Sequence, residues 1–335
     1  MSYQPPYSIT PIMLHKIAEI SETLGRLSVT QEQESNLRLR RINRIRTIQG
    51  SLAIEGNTLT GEQITAILEG KRIIAPPREI LEARNAVAAY DQFEQWQASK
   101  EKHLLKAHQL LMQGLDDDAG HYRRQGVGVM KGEQVIHMAP PANRVSILMN
   151  DLLNWLKTTN EHPLIISSVF HYEFEFIHPF TDGNGRMGRL WQTLILSQWK
   201  PIFKHIPVES MVYAQQESYY QALNQSTQKT DSAPFIEFML SAILEACKSS
   251  TPQVSHHVTP QVMHLINVLK GEMSREQLQT VLKLKDRKSF RERYLLPALA
   301  SDLIKMTLPE KPKSSLQKYY LTTRGKQLIS HLADL

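Results

Sequence analysis

A chain of 335 residues exceeds one ordinary domain and suggests two or three units, and its 41% hydrophobic content can bury a sizeable core. Its single cysteine, Cys247, excludes an intrachain disulfide and suits a reducing compartment; with no run of eighteen apolar residues and no basic, apolar leader at the start, the expectation is a cytoplasmic protein with no membrane partner. The net charge of +6 lies wholly at the C-terminal end, where residues 251–335 carry 14 Lys and Arg against 7 Asp and Glu.

In chain order, the first cluster is Arg38, Arg40, Arg41, Arg44 and Arg46, which reads mainly as a solvated and internally paired helix face. It leads into Ser51-Leu-Ala-Ile-Glu-Gly-Asn57, where Ser51 and Glu55 are four apart and share a face, and Gly56 and Asn57 suit a left-handed C-cap. Glu55 thus ends a helix, opposes the dipole there, and needs a cation. Residues 127–137 read as two short strands around Lys131-Gly132-Glu133, a hairpin whose second arm carries Ile136 and His137. The apolar-rich stretch from Leu164 to Ile177 reads as a helix that Pro179 stops, leaving His178 on a loop.

The next twelve residues, His-Pro-Phe-Thr-Asp-Gly-Asn-Gly-Arg-Met-Gly-Arg at 178–189, are the most specific in the chain. Gly183 and Gly185 permit unusual backbone conformations, and Met187, Leu190, Trp191, Leu194 and Ile195 beyond them recur at helical spacing. The glycines therefore open a helix, where free N–H groups and the dipole bind phosphate oxygens, with Arg186 and Arg189 on neighbouring parts of one face. Asp182 suits Mg²⁺ bound together with substrate phosphates, and His178 suits a proton acceptor near neutral pH. A nucleotide, Mg²⁺ and a base imply phosphoryl or nucleotidyl transfer. No G-x-x-x-x-G-K-[ST] and no G-x-G-x-x-G occurs, so neither a P-loop nor a Rossmann fold is implied.

After Tyr219-Tyr220 and Asp231-Ser-Ala-Pro-Phe-Ile comes a polar stretch at 249–259, with Pro252 and Pro260 near its ends, that reads as a linker. Helical patterns follow at about 261–270, 274–284 (opened by the Ser274–Gln277 capping box) and 287–301, then strands at 304–308 and 319–323 around a turn, and a last helix. Helices followed by a two-stranded wing form a winged-helix pattern. Arg287, Lys288, Arg291 and Arg293 on its third helix could meet DNA phosphates, but protein contact or dimerisation is the favoured use because the wing lacks a dense basic run.

The stretch 178–189 resembles the signature of Fic proteins, H-P-F-x-[DE]-G-N-G-R-x-x-R, at every defined position. Independently, 51–57 resembles that family's inhibitory motif, [ST]-x-x-x-E-[GN], the hairpin resembles its flap, 219–220 and 231–236 resemble the segment closing the adenosine side, and the C-terminal stretch resembles a domain found in many bacterial members. The resemblance implies a mainly α fold: a Fic-type helical core with a small β-hairpin flap, plus a C-terminal winged-helix domain. The implied domains are a helical region at 1–100 with the inhibitory helix at about 40–57, a catalytic core at 101–250, and the winged helix at 257–335. It implies an autoinhibited protein adenylyltransferase that moves AMP from ATP to a Ser, Thr or Tyr hydroxyl of an unknown target protein or of itself, releasing pyrophosphate. In that reading His178 is the base, Asp182 holds Mg²⁺, and Phe180 anchors the loop. Gly183, Asn184 and Gly185 cradle phosphates, Arg186 and Arg189 take the distal ones, and Tyr219 and Tyr220 line the adenosine side. Ile136 and His137 face the target, and Glu55 with Ser51 holds Arg189 at the γ-phosphate position. Relatives with lysine at the second glycine phosphorylate instead; Gly185 favours AMP transfer. Some relatives carry asparagine where Thr227 stands. Removal of AMP through the same site, with Glu55 positioning a water, and a nucleotide-sensing DNA-binding regulator remain the alternatives.

Overall fold

The structure, a computed structural model, describes residues 3–30, 36–131, 134–250, 260–284, 286–300, 303–311, 314, 316–322, 325–326 and 329. It is mainly helical and divides into two compact units, 1–251 and 252–335. Of the linker expected at 249–259, residues 249 and 250 are still helical and 251–259 lie outside the described residues, as does most of the expected last helix. Among the described residues, no helix is long and apolar enough to cross a membrane.

In the first unit, α7 (Pro163–Ile177) and α8 (Asn184–Trp199) pack against each other at the centre. Most residues of both are buried; α7 is apolar around most of its surface, whereas α8 also buries polar residues, Arg186, Arg189 and Gln192 among them. Around this pair α1 (Pro11–Thr30) packs on α11 (Ala233–Ser250), α2 (Asn36–Ile54) on α9 (Val208–Ala214), and α4 (Pro77–Asp91) on α5 (Glu101–Met112). The arginine-rich face of α2 is partly paired: Arg41 meets Glu69 and Arg44 meets Asp91. Arg38's side chain lies outside the described residues.

Helix α2 starts earlier and ends earlier than the expected 40–57. Its end follows from Gly56, which adopts φ +88°, while Gly56 N–H donates to Ala53 O (3.0 Å) and Asn57 N–H to Leu52 O (3.2 Å). These are the two bonds of a Schellman cap, and they leave Glu55 on the last, C-terminal turn. The hairpin forms from β1 (Gly128–Lys131) and β2 (Gln134–Met138), antiparallel, with a register shift between Val129 and Met130.

On α7 the carboxyl of Glu173 is buried and accepts a hydrogen bond from the Tyr3 hydroxyl (2.7 Å). Burial pushes it up to about 6, against the Tyr3 bond. A carboxyl raised in the folded state stabilises the fold below the unfolded value and ceases to do so as pH rises through about 6. Glu173→Gln keeps an acceptor for Tyr3 without the charge. Its stability relative to wild type should therefore grow between pH 4 and 7, by up to about 2 kcal/mol. Thermal unfolding across that range checks this; a difference that does not vary with pH would contradict it.

In the second unit α12 (Pro260–Val268), α13 (Arg275–Val281) and a helical stretch from Arg287 to Ala300 precede a three-stranded antiparallel sheet. The Ser274–Gln277 capping box is present at the start of α13. That helix stops short of the expected 284 because Lys283 enters the left-handed region at φ 56°, with Lys283 N–H bonded to Thr280 O and Leu284 N–H to Gln279 O. A lysine thus occupies a cap position usually given to glycine, which sequence punctuation does not signal. The third stretch contains a π-turn at Arg291–Leu295. Strands β4 (Ile304–Met306) and β5 (Lys318–Leu321) match the two expected, and β5 also pairs with the two-residue β3 (Met273–Ser274). Arg287, Lys288, Arg291 and Arg293 are all exposed.

Candidate active site

Helix α7 ends at His178, which takes left-handed dihedrals (φ 49°, ψ 62°) while its N–H still donates to Phe174 O (2.9 Å). A non-glycine residue there costs about 1–2 kcal/mol and needs external support. Arg123 supplies it. Its guanidinium donates to His178 O (2.7 Å), Ile177 O (3.3 Å), Pro140 O (2.6 Å) and Gln125 O (2.8 Å), so one buried side chain ties the hairpin ends to the His178 loop. The imidazole itself is one-fifth exposed.

Phe180 is fully buried, stacked on His108 (3.6 Å between centroids, 3° between planes) and tilted against Tyr122 and Phe174. His108, on α5, accepts from Gly120 N–H at Nδ1 (2.9 Å), so its proton sits on Nε2 and is donated to Asp182 O (2.9 Å). Burial holds this ring down to about 4, keeping it neutral as that arrangement requires. Asn184 is also a loop fastener. Its side chain accepts from Phe180 N–H and donates to Phe180 O, both at 2.9 Å, so what it offers an anion is its backbone at the helix start rather than its amide.

The two glycines have different causes. Gly183 is the N-cap of α8 with φ +80°, so its dihedral requires glycine. Gly185 lies inside the helix and has no such φ. A Cβ there would sit 2.3 Å from Glu55 Oε1 and 3.0 Å from an Arg189 nitrogen, so the requirement is for space. The expectation that both glycines supply unusual dihedrals is corrected for Gly185.

Asp182 accepts from Gly183 N–H at Oδ1 (2.6 Å), faces Arg78 at Oδ2 and Arg186 at Oδ1 (3.4 Å each), and keeps 47% of its side chain exposed. Among the described residues there is no group of three or more His, Cys, Asp or Glu that could hold a metal. One half-exposed carboxylate beside a helix N-terminus fits Mg²⁺ arriving with a polyphosphate, since that ion keeps waters and uses one or two carboxylates plus phosphates. Arg186 is nearly buried, 3.7 Å from Glu82, with Nε unsatisfied. Glu82 in turn accepts from the Asn57 amide (2.9 Å), which links the cap of α2 to this arginine.

Arg189 is 2% exposed and is held from α2: Nε donates to Ser51 Oγ (3.3 Å), and NH2 to Ser51 O (3.0 Å) and Glu55 Oε1 (2.6 Å). Burial opposes its charge, but Glu55, Tyr219 and Glu175 more than offset this and keep it charged. Tyr219 and Tyr220 stand beside this group. Tyr219 is fully buried with its hydroxyl on His171 Nε2 (3.1 Å), which leaves Tyr220 the more accessible of the two. Thr227 bonds to the Tyr172 hydroxyl (3.2 Å). Ile136 and His137 lie on β2, and their side chains are outside the described residues. The arrangement brings His178, Asp182, Gly183, Gly185, Arg186 and Arg189 to one loop and helix start, with Glu55 and Ser51 against it. Arg78, Glu82, His108, Arg123 and Glu175 also belong to the site or its support; scattered singly through the chain, they carry no local pattern.

The Fic/DOC family model matches residues 98–196, and the model described as "Filamentation induced by cAMP protein Fic-like, C-terminal domain" matches 260–322. A crystal structure of a Fic family protein from Desulfovibrio desulfuricans G20 is 54% identical, with a TM-score of 0.73, covering 96% of this chain and 99% of that one. A Fic-1 fragment from C. elegans shares the fold at 23% identity and TM-score 0.58, over 71% of this chain and 72% of that one. Proteins named protein adenylyltransferase Fic from Nematostella vectensis and Aedes aegypti are 30% and 27% identical over 57% and 73% of this chain. The chain spans about half the length of these curated relatives, 45% and 49%.

Proposed function

The chain belongs to the Fic family, and on that premise we propose that it is an autoinhibited protein adenylyltransferase, moving AMP from ATP to a protein hydroxyl. The observation that carries this reading is the contact of Glu55 with Arg189 at 2.6 Å, made across 134 positions at the mouth of the phosphate cradle. An arginine held by a carboxylate where distal phosphates would bind is a nucleotide site under restraint.

In the proposed reaction the triphosphate lies on the N-terminal turn of α8, with Arg186 and Arg189 on its distal oxygens. Asp182 would hold Mg²⁺, which when bound neutralises phosphate charge as the leaving group departs. A target segment pairs along the edge of the hairpin, so that backbone bonds align it and side-chain pockets select the hydroxyl. The hydroxyl gives its proton to His178 as its oxygen bonds to the α-phosphorus. The bond from that phosphorus to the pyrophosphate oxygen breaks, and pyrophosphate leaves with the electron pair. Buried Phe180, His108 and Arg123 keep the base in place through these steps, since a small displacement of a reacting group can cost orders of magnitude.

Phosphorus NMR of the chain with ATP tests this: pyrophosphate should accumulate as the protein gains AMP. ADP as the product would instead mean phosphoryl transfer. A second reading has support from Glu55, whose side chain is 37% exposed and so can meet water; release of AMP from a modified protein would favour it. The C-terminal unit is assigned to protein contacts, and tight, steeply salt-dependent binding of duplex DNA by the full chain would reassign it.

A further inference from the structure

We propose that Glu175 is the positioning residue for the base: its carboxylate holds the His178 imidazole with Nδ1 turned inward, leaving Nε2 to accept the proton. The proposal rests on His178 acting as the base in adenylyl transfer. Glu175 lies three residues before His178 on the last turn of α7, and its side chain is 12% exposed. Its Oε2 is 4.0 Å from His178 Nδ1, and its Oε1 has no hydrogen-bond partner.

The groups facing this carboxylate come from three elements. His178 lies beyond α7, His171 is on α7 with Nε2 at 3.7 Å, and Arg189 is on α8; behind them, Glu55 at the C-terminal cap of α2 pairs with Arg189, and Tyr219 of α10 (Gln216–Lys229) bonds to His171. His171 is committed elsewhere. Its Nδ1 meets the Gln192 amide oxygen (2.7 Å), an atom that can only accept, so the ring proton lies on Nδ1 and Nε2 accepts from the Tyr219 hydroxyl. A neutral His171 therefore gives Glu175 no hydrogen bond. Burial works to protonate Glu175; with His171 neutral, the standing positive charge that opposes this is Arg189, joined by His178 whenever its ring is protonated, and the carboxyl is held below the usual carboxylate range, so the site keeps a buried negative charge. Gly188 makes room for that charge: a Cβ there would sit 2.9 Å from Glu175 Oε1.

A buried carboxylate is costly and persists only with compensation. Beside a ring that must become positive in the reaction it has a use, because an opposite charge within about 4–6 Å favours the ionised form. When the target hydroxyl passes its proton to Nε2, the resulting imidazolium faces Glu175 through Nδ1–H. After pyrophosphate leaves, the imidazolium returns that proton to solvent.

The test uses the full chain carrying Glu55→Gly, with and without Glu175→Gln. Histidine ring NMR follows the titration of His178, picked out from the 13 histidines by its loss in His178→Ala. Glu175→Gln should move the His178 midpoint down by about 1 pH unit or more. The acid limb of the transfer rate should move to lower pH with it, and the plateau rate should fall about ten-fold or more. An unmoved His178 midpoint overturns the proposal, whatever happens to the rate. Should Glu175→Gln not fold, Glu175→Asp retracts the carboxylate and should give a smaller shift in the same direction, and its absence counts equally against the proposal. Glu55→Gly losing its transfer activity only when Glu175 is changed, with the His178 midpoint fixed, would mark Glu175 as merely structural. Transfer that survives His178→Ala would instead remove the reading on which the proposal rests.

Discussion

Replacing Glu55 with glycine should raise self-modification by about 10²-fold, the order by which a misplaced reacting group slows an oriented reaction. In the resting chain Glu55 and Ser51 together occupy the Arg189 guanidinium. In the proposed autoinhibited state, an ATP bound against that restraint would not reach Arg189 with its distal phosphates, which would leave its α-phosphorus out of line with the hydroxyl. The substitution removes a carboxylate that repels the polyphosphate and returns Arg189 to the cradle. Its fold cost is small at the backbone, because residue 55 lies on the last turn of α2 beside Gly56, already in the left-handed region. The larger cost is the loss of a partner for a nearly buried arginine, about 1–3 kcal/mol without nucleotide, and ATP should recover part of it. Thermal unfolding with and without ATP separates the two. The gain in rate should vanish when Arg189→Ala or His178→Ala is added. A folded Glu55→Gly chain that is no faster than wild type would end the inhibitory assignment and favour a water-positioning Glu55.

In the Glu55→Gly background, His178→Ala should lower AMP transfer by roughly 10²–10⁴ while ATP binding largely survives. The separation of binding from rate follows from placement. His178 lies at the end of α7, whereas the groups proposed to bind phosphate lie on α8 and its N-terminal turn. Alanine removes the ring but leaves the carbonyl that Arg123 holds at 2.7 Å, so the loop keeps its main fastening. Calorimetric ATP titration beside initial rates checks both halves, and activity within a few-fold of the parent would remove His178 from the mechanism.

What could be read from the sequence is what is local in it. Pro179 after an apolar run marked the end of α7 and the loop position of His178, and Ser51 and Glu55, one turn apart, meet the same arginine. Partners distant in the chain had no such signal. His108 reaches Asp182 across 74 positions, Arg123 clamps the His178 loop across 55, and Glu82 meets Arg186 from a helix of otherwise ordinary pattern. Single residues of common types acquire these roles only when the helices pack. Gly185 shows a related limit: glycine was legible, but its reason, the side chain of Glu55 in the space of a Cβ, depends on α2 docking against α8. In the second unit the cap at Lys283 and the two-residue strand β3 carry no sequence signal, because neither has a length or composition that marks it.

The most direct measurement of the central claim is the position of the label after the Glu55→Gly chain is incubated with α-labelled and γ-labelled ATP in parallel. Adenylyl transfer governed by the Glu55–Arg189 contact predicts a protein labelled from the α position only, and far less label on wild type under the same conditions. Label from the γ position, or equal labelling of wild type and Glu55→Gly, would contradict it.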